Sequence, residues 1–265
     1  GGGGRRERGG RVRATGRDGD GAAVEVSAAV VVGADGTRGA VRGLLGIGVD
    51  GRVLPDRFLM GDAPDATGSG DDAVVTLHPD GVVESFPLPG LRRRWVVGIR
   101  DGQGAPGTAE DLARIVRDRT GHAVDPATLE TVSAFGVRRR LARRMASGRA
   151  LLIGDAAHEI SPIGGQGMNL GWLDADALAP LLVDAVRHRG GLLDRRRVAA
   201  WERDRRASAR RAAVQSEINT ALGRPVRGLT RRVRDAGLRA VLASPAAGAL
   251  ASVYAMGRDR AARVR

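Results

Sequence analysis

A chain of 265 residues can bury a substantial core in one or two domains, and the absence of cysteine excludes disulfides, thiolate metal sites and a catalytic thiol. The net charge of +13 does not point to a dedicated nucleic-acid function. Every basic residue is arginine, the arginines are spread along the chain, and three Phe, three Trp and one Tyr offer no platform for stacking bases.

The opening residues 1–10 are Gly- and Arg-rich, with no apolar run before the glycines and no helix after them. They fail the context test for a dinucleotide-binding fingerprint and read as a flexible leader. The leader also lacks the apolar region of a signal peptide, so a cytoplasmic protein is expected. Residues 11–15 and 22–26 flank a turn at Asp18-Gly-Asp-Gly21 and read as a β-hairpin. The apolar run Ala28–Val32 then leads as a strand into Gly33-Ala-Asp35-Gly36, where the glycines allow close backbone approach and Asp35 can accept hydrogen bonds from loop amides or ribose hydroxyls. A short helix is expected from Arg42 to Leu45.

Residues 51–134 have a different texture. Strand patterns at 73–78, 82–86 and 94–99, the first two joined by a Pro79-Asp-Gly81 turn, predict an antiparallel meander. Thr108 begins a helix with a start like a capping box and places Leu112, Ile115 and Val116 on one face. Residues 132–137 are expected to form a returning strand.

The most informative stretch follows. Ala150–Ile153 reads as a short buried strand ending at Gly154, and Asp155 then sits at the strand's carboxyl end, where open α/β sheets place ligand-binding groups. Gly164, Gly165 and Gly167 open a long Ala/Leu-rich helix expected over 167–187. Backbone amides at such a helix start, together with its dipole, favour an anion or an electron-rich ring. A second, charged helix is expected over 194–222, and a packed or surface-lying helix over 240–256, a stretch too short and too weakly apolar to span a bilayer. His78, His122 and His188 are isolated, so no metal site is expected. No Gly-x-Ser-x-Gly elbow or His-Glu-x-x-His motif occurs.

The string from Gly154-Asp155 through Pro162 to Gly167-x-Asn169 and Asp174-Ala175 resembles the second FAD-binding motif of the flavoprotein monooxygenases related to para-hydroxybenzoate hydroxylase. Gly33-Ala-Asp35-Gly36-Thr-Arg-Gly39-Ala-Val-Arg42 resembles the same family's GADG-x-x-S-x-V-R segment, with Gly39 where the family has serine and the helix start therefore expected to be looser. The family's first βαβ unit, with its G-x-G-x-x-G, has no counterpart here. The resemblance implies an α/β fold: an incomplete doubly wound (Rossmann-like) FAD-binding domain over 11–50 and 135–190, an inserted antiparallel-sheet substrate domain over 51–134 and a helical C-terminus over 191–265.

It also implies FAD held by Asp35, Gly36, Arg42, Gly154, Asp155, Pro162, Gly164, Gly165, Gln166, Gly167, Met168 and Asn169. Arg42 would meet phosphate oxygens, and His158 would be structural near the flavin. The implied activity is an NAD(P)H-dependent monooxygenase that hydroxylates an aromatic or polyketide-like small molecule with O2 through a flavin hydroperoxide. Phe86 and Phe135 are candidates to line the substrate pocket, or else plain core residues, and no residue is identified as catalytic. The alternatives are another flavoenzyme on the same scaffold, such as a halogenase or prenyl-lipid reductase, and an inactive remnant without the ADP-binding unit.

Overall fold

The computed structural model describes residues 5–8, 10–99, 107–163, 165–188, 190–245 and 247–248. In chain order the strands are β1 (Arg5–Arg8), β2 (Arg11–Arg17), β3 (Ala23–Ala28), β4 (Val31–Gly33), β5 (Val49–Pro64), β6 (Val74–His78), β7 (Gly81–Leu88), β8 (Arg92–Ile99), β9 (Glu130–Ala142), β10 (Ala146–Ser147), β11 (Ala150–Leu152) and β12 (His158–Glu159). The helices are α1 (Val41–Leu44), α2 (Ala109–Thr120), α3 (Gln166–His188), α4 (Arg195–Leu222) and α5 (Gly228–Leu242). Contacts divide the chain into two units, Gly1–Arg52 with Arg138–Ser216, and Val53–Val137 with Glu217–Arg265. The strands β5 and β9 and the helix α4 run from one unit into the other, and α5 falls in the second.

In the first unit β1, β2 and β3 make an antiparallel sheet. The leader expected to be flexible is therefore structured over Arg5–Arg8, which pairs with Arg11–Ala14 around a turn at Gly10 (φ 78°). Backbone pairing supplies the partners that the composition conceals. The β2–β3 turn is closed by Asp18, whose Oδ1 accepts from the amides of Asp20 (3.1 Å) and Ala22 (2.8 Å). A smaller sheet has the order β10-β11-β4, and its parallel pair β11–β4 is the doubly wound element of the fold. All three residues of β11 are buried. Leu151 and Leu152 pack with Met145, Leu178, Leu181 and Trp201 to form this unit's core. The buried face of α3 recurs at Leu170, Asp174, Leu178, Leu181 and Ala185, the spacing of an amphipathic helix.

The second unit contains the expected meander β6-β7-β8, extended by β5. With β9 and β12 these strands form a six-stranded sheet in the order β12-β9-β5-β8-β7-β6. The sequence reading missed β5 because Gly51, Pro55 and Gly61 interrupt its alternation. It also stopped β9 five residues short, at 137. On one sheet face Leu59, Val83, Trp95 and Val97 meet Leu112, Ile115 and Val116 of α2. Thr108 caps that helix as expected, its Oγ1 accepting from the Asp111 amide (3.2 Å), while Asp111 accepts in return from the Gly107 amide (3.2 Å). At Gly61 a Cβ would lie 2.7 Å from a Leu112 methyl, so the glycine sets how closely α2 approaches. The helix α5 ends at Leu242, and most of the helix expected over 240–256 lies outside the described residues.

Candidate functional site

The site is built at the carboxyl ends of β4 and β11, where the strand pair hands over to turns. After β11 the chain takes one tight helical turn, Gly154–Ala156, opened by Gly154 at φ +60°, and Asp155 stands exposed on it. Position 154 needs glycine because other residues rarely adopt that backbone. At Gly171, on the second turn of α3, a Cβ would come 3.2 Å from the Cα of Gly154. Two glycines thus let the start of α3 sit against the turn that carries Asp155.

That helix start has no acidic residue in its first turn, so its amides present a net positive end. The amide of Gly165 (φ +63°) donates to the Pro162 carbonyl (2.8 Å), and Asn169 Nδ2 donates to the Gly165 carbonyl (3.4 Å). Pro162, Gly165, Met168 and Asn169 are exposed and Gly167 is half-buried. Gln166 departs from the expectation: its side chain is 1% exposed and turns into the protein, with Oε1 lacking a partner. Gly164 lies outside the described residues.

The second motif lands beside the first. Asp35 is exposed, and its Oδ2 accepts from the Val41 amide (2.9 Å), serving one of the unsatisfied donors at the start of α1. Gly36 follows at φ +77°. A Cβ on Gly39 would fall inside the Asp35 carboxylate. Glycine here is therefore the condition for Asp35 to reach Val41, and the expected loosening of this helix start is replaced by a cap from Asp35. Arg42 is also redirected. Its guanidinium donates to the carbonyls of Ala156 (2.7 Å) and Thr37 (3.4 Å), bracing the Asp155 turn instead of standing free for phosphate.

Beneath these turns lies a group that sequence reasoning did not assign. Asp174 is fully buried on the core face of α3. Its Oδ2 pairs with His158 Nε2 (2.6 Å) and accepts from the Gly154 amide (3.0 Å), while Oδ1 accepts from Arg205 Nε (2.9 Å) on α4. The Trp201 indole donates to the Asp174 carbonyl (3.4 Å). His158, 2% exposed, is held as a structural residue. One carboxylate thus fixes the backbone amide next to Asp155, an imidazole and a guanidinium. The available signal was a carboxylate on an otherwise apolar helix stripe, which demands a buried partner.

In the second unit Phe135 stacks on Phe58 with ring centroids 5.8 Å apart, and Phe86 is half-buried. Side-chain alternation from Leu59 and Val83, which face α2, puts Phe58 and Phe86 on the opposite sheet face. Phe58 stands opposite Gly98 and Phe86 opposite Arg94, so the two are about 13 Å apart along the strands. The structure therefore brings Phe135 to Phe58 and not to Phe86. On the same sheet Arg94 donates to both oxygens of Asp62 (2.8 Å each), and this guanidinium holds the Asp62 carboxyl below the usual carboxylate range. Among the described residues no cluster of three or more His, Asp or Glu could hold a metal ion, and no helix is long and apolar enough to cross a membrane.

The chain is similar to several known proteins. A relative from Burkholderia cenocepacia, 3-(3-hydroxy-phenyl)propionate/3-hydroxycinnamic acid hydroxylase, is 30% identical over 221 residues, covering 83% of this chain and 40% of its own length. The 6-methylpretetramide 4-monooxygenase of Streptomyces rimosus is 39% identical over 172 residues, covering 63% of this chain and 31% of its own length. Among solved structures, OxyS anhydrotetracycline hydroxylase from Streptomyces rimosus superposes with a TM-score of 0.71 at 26% identity, over 95% of this chain and 50% of that one. The p-nitrophenol 4-monooxygenase PnpA from Pseudomonas putida gives 0.80 at 21% identity, over 97% of this chain and 65% of that one, a likeness of fold. The chain spans less than half the length of these two curated relatives. The model of the FAD binding domain family matches residues 4–216, and the chain belongs to that family.

Proposed function

We propose that this chain supplies the flavin-holding and substrate-facing parts of an NAD(P)H-dependent FAD monooxygenase that hydroxylates an aromatic or polyketide-like small molecule with O2. The observation that carries the reading is the exposed Asp155 carboxylate at the end of a parallel strand pair, set against the acid-free start of α3. These residues fit FAD. Asp155 would accept hydrogen bonds from hydroxyls of the cofactor's sugar-alcohol chain, and the amides of Gly167, Met168 and Asn169 would stabilise the negative charge that reduction gives the ring. Pro162 and Met168 offer exposed apolar contact beside them. Bound flavin supplies the redox and oxygen chemistry.

The protein's own residues position and shield. Asp174 fixes the Gly154 amide, Arg42 braces Ala156, and Asp35 secures α1, so the turn that presents Asp155 is held from three sides. Phe86 and Phe135, both half-buried on one face of the sheet, would offer apolar contact to a ring substrate. Two further features favour a dinucleotide-binding βαβ unit as the remaining part of the site. One edge of β4 has no strand partner among the described residues, although parallel sheets are normally covered. In addition, Met168, Trp172, Val183 and Val186 form an exposed apolar stripe on α3. A strand beside β4 with its crossover helix on that stripe would cover both.

The test is a FAD titration followed by flavin absorbance and fluorescence. Saturable binding that Asp155→Ala weakens about tenfold or more is expected from the loss of a charge-assisted hydrogen bond. Binding that Asp155→Ala and Asp155→Asn leave unchanged overturns the assignment. Bleaching of bound flavin under anaerobic conditions by NADH and NADPH, added separately, identifies the electron donor.

A further inference from the structure

The first unit contains a cavity of about 320 Å3 that the flavin reading does not use. It lies along the end of β9 and the middle of α4, and none of Asp155, Pro162, Gly165, Met168 or Asn169 lines it. Its walls are of two kinds. Leu141, Met145, Ala209 and Val214 give an apolar surface, whereas Arg139, Arg206 and Arg210 bring three guanidinium side chains to the same space. Asp50 is the one acidic residue among the lining residues, and its Oδ1 already accepts from Arg143 Nε (2.8 Å).

Arg206 and Arg210 differ from four arginines of this chain that are each committed to a carboxylate. Arg93, Arg94, Arg205 and Arg224 each hold a carboxylate, of Asp65, Asp62, Asp174 and Asp56 respectively. Neither Arg206 nor Arg210 makes a hydrogen bond or ion pair among the described residues. The two stand one turn apart on α4, a spacing at which like charges repel unless an anion sits between them. Guanidinium forks suit a carboxylate or phosphate head, and the volume is at the small end for ligand pockets, enough for a body of one or two rings.

We propose that this cavity is a binding site for a small organic anion, with its carboxylate or phosphate on Arg206 and Arg210 and its apolar body against Leu141, Met145 and Val214. Ala157 and His158, just past the Asp155 turn, also line the cavity, but none of the exposed groups proposed to touch FAD does, so its occupancy does not depend on the monooxygenase reading.

The experiment is calorimetric titration at fixed ionic strength with benzoate, phenyl phosphate, inorganic phosphate and the neutral benzamide. Either or both aryl anions are expected to bind saturably, and benzamide is not. Binding should fall about tenfold or more in the double variant Arg206→Gln/Arg210→Gln, which removes charged hydrogen bonds. Circular dichroism should show that variant folded, because the fold gives neither arginine a partner. The variant Val214→Trp, on the exposed rim, should weaken the aryl anions and spare inorganic phosphate. Equal binding of benzamide and benzoate, equal binding by wild type and the double variant, or no binding of either aryl anion would each overturn the proposal. Binding of inorganic phosphate alone would mean an adventitious ion only and would overturn it as well.

Discussion

Asp174 provides the sharpest test of how the site is held. Replacing it with asparagine keeps the shape but removes the charge and puts an amide donor where a carboxylate oxygen accepted. With Arg205 Nε at 2.9 Å on one oxygen and the Gly154 amide and His158 on the other, either orientation of the new amide points a donor at a donor. Arg205, 7% exposed, is left as a buried charge without its counter-ion. Breaking a buried pair from one side costs about 3–5 kcal/mol. That is a fifth or more of the roughly 5–15 kcal/mol by which domains are stable. At about 2–4 °C per kcal/mol for a chain of this size, Asp174→Asn should lower Tm by roughly 6–20 °C in a calorimetric or circular-dichroism melt. The double variant Asp174→Leu/Arg205→Met should recover part of the loss seen in Asp174→Leu, because no uncompensated charge remains. If Asp174→Asn melts within about 2 °C of wild type, or Arg205→Met destabilises the Asp174→Leu variant as much as it destabilises wild type, the reasoning is wrong.

Gly39→Ser, which restores the hydroxyl residue of the resembling family, should destabilise by about 1 kcal/mol, since its Cβ displaces Asp35 from the Val41 amide and a cap is lost. Urea unfolding measures this, and Asp35→Ala should lose the same amount while Gly39→Ser adds little to it. The acid limb of stability tests Asp62. Because Arg94 holds its carboxyl below the ordinary value in the folded protein, the pair's contribution is full above about pH 4 and is lost as pH falls through the folded value. In Arg94→Gln the decline in urea midpoint below about pH 4 should be shallower than in wild type.

The parts of the site that were legible in sequence are those with local signals. Three buried residues, a glycine at positive φ and a glycine-opened helix fall within one stretch, so β11, the Asp155 turn and α3 could be read from residues 150–171. The same holds for the Thr108 cap and for β6 to β8, short Val-rich runs of which the first two are joined by a Pro-Asp-Gly turn. What escaped depends on partners distant in sequence. Asp174 and Arg205 are 31 residues apart, and nothing near either one names the other. β5 exists because β8 pairs with it and α2 covers it, against its own glycines and proline. Arg42 has the right residue type for phosphate, but the carbonyl of Ala156, 114 residues away, claims its guanidinium. The leader misled for the opposite reason. Its glycine content hides a ladder that four residues of β1 complete with β2.

The open edge of β4 has a consequence for how this polypeptide behaves among its own copies. An unpaired strand edge invites runaway pairing, and proteins commonly blunt it by making the strand short. β4 is three residues long and ends at Gly33, where Val41 and Leu152 already crowd the backbone. It therefore offers too few hydrogen bonds to template a growing ladder, and a bare strand gains little by docking there. A segment that brings a helix for α3 together with its strand gains both contacts at once, so the edge discriminates against fibril-like self-association without closing itself to a proper neighbour.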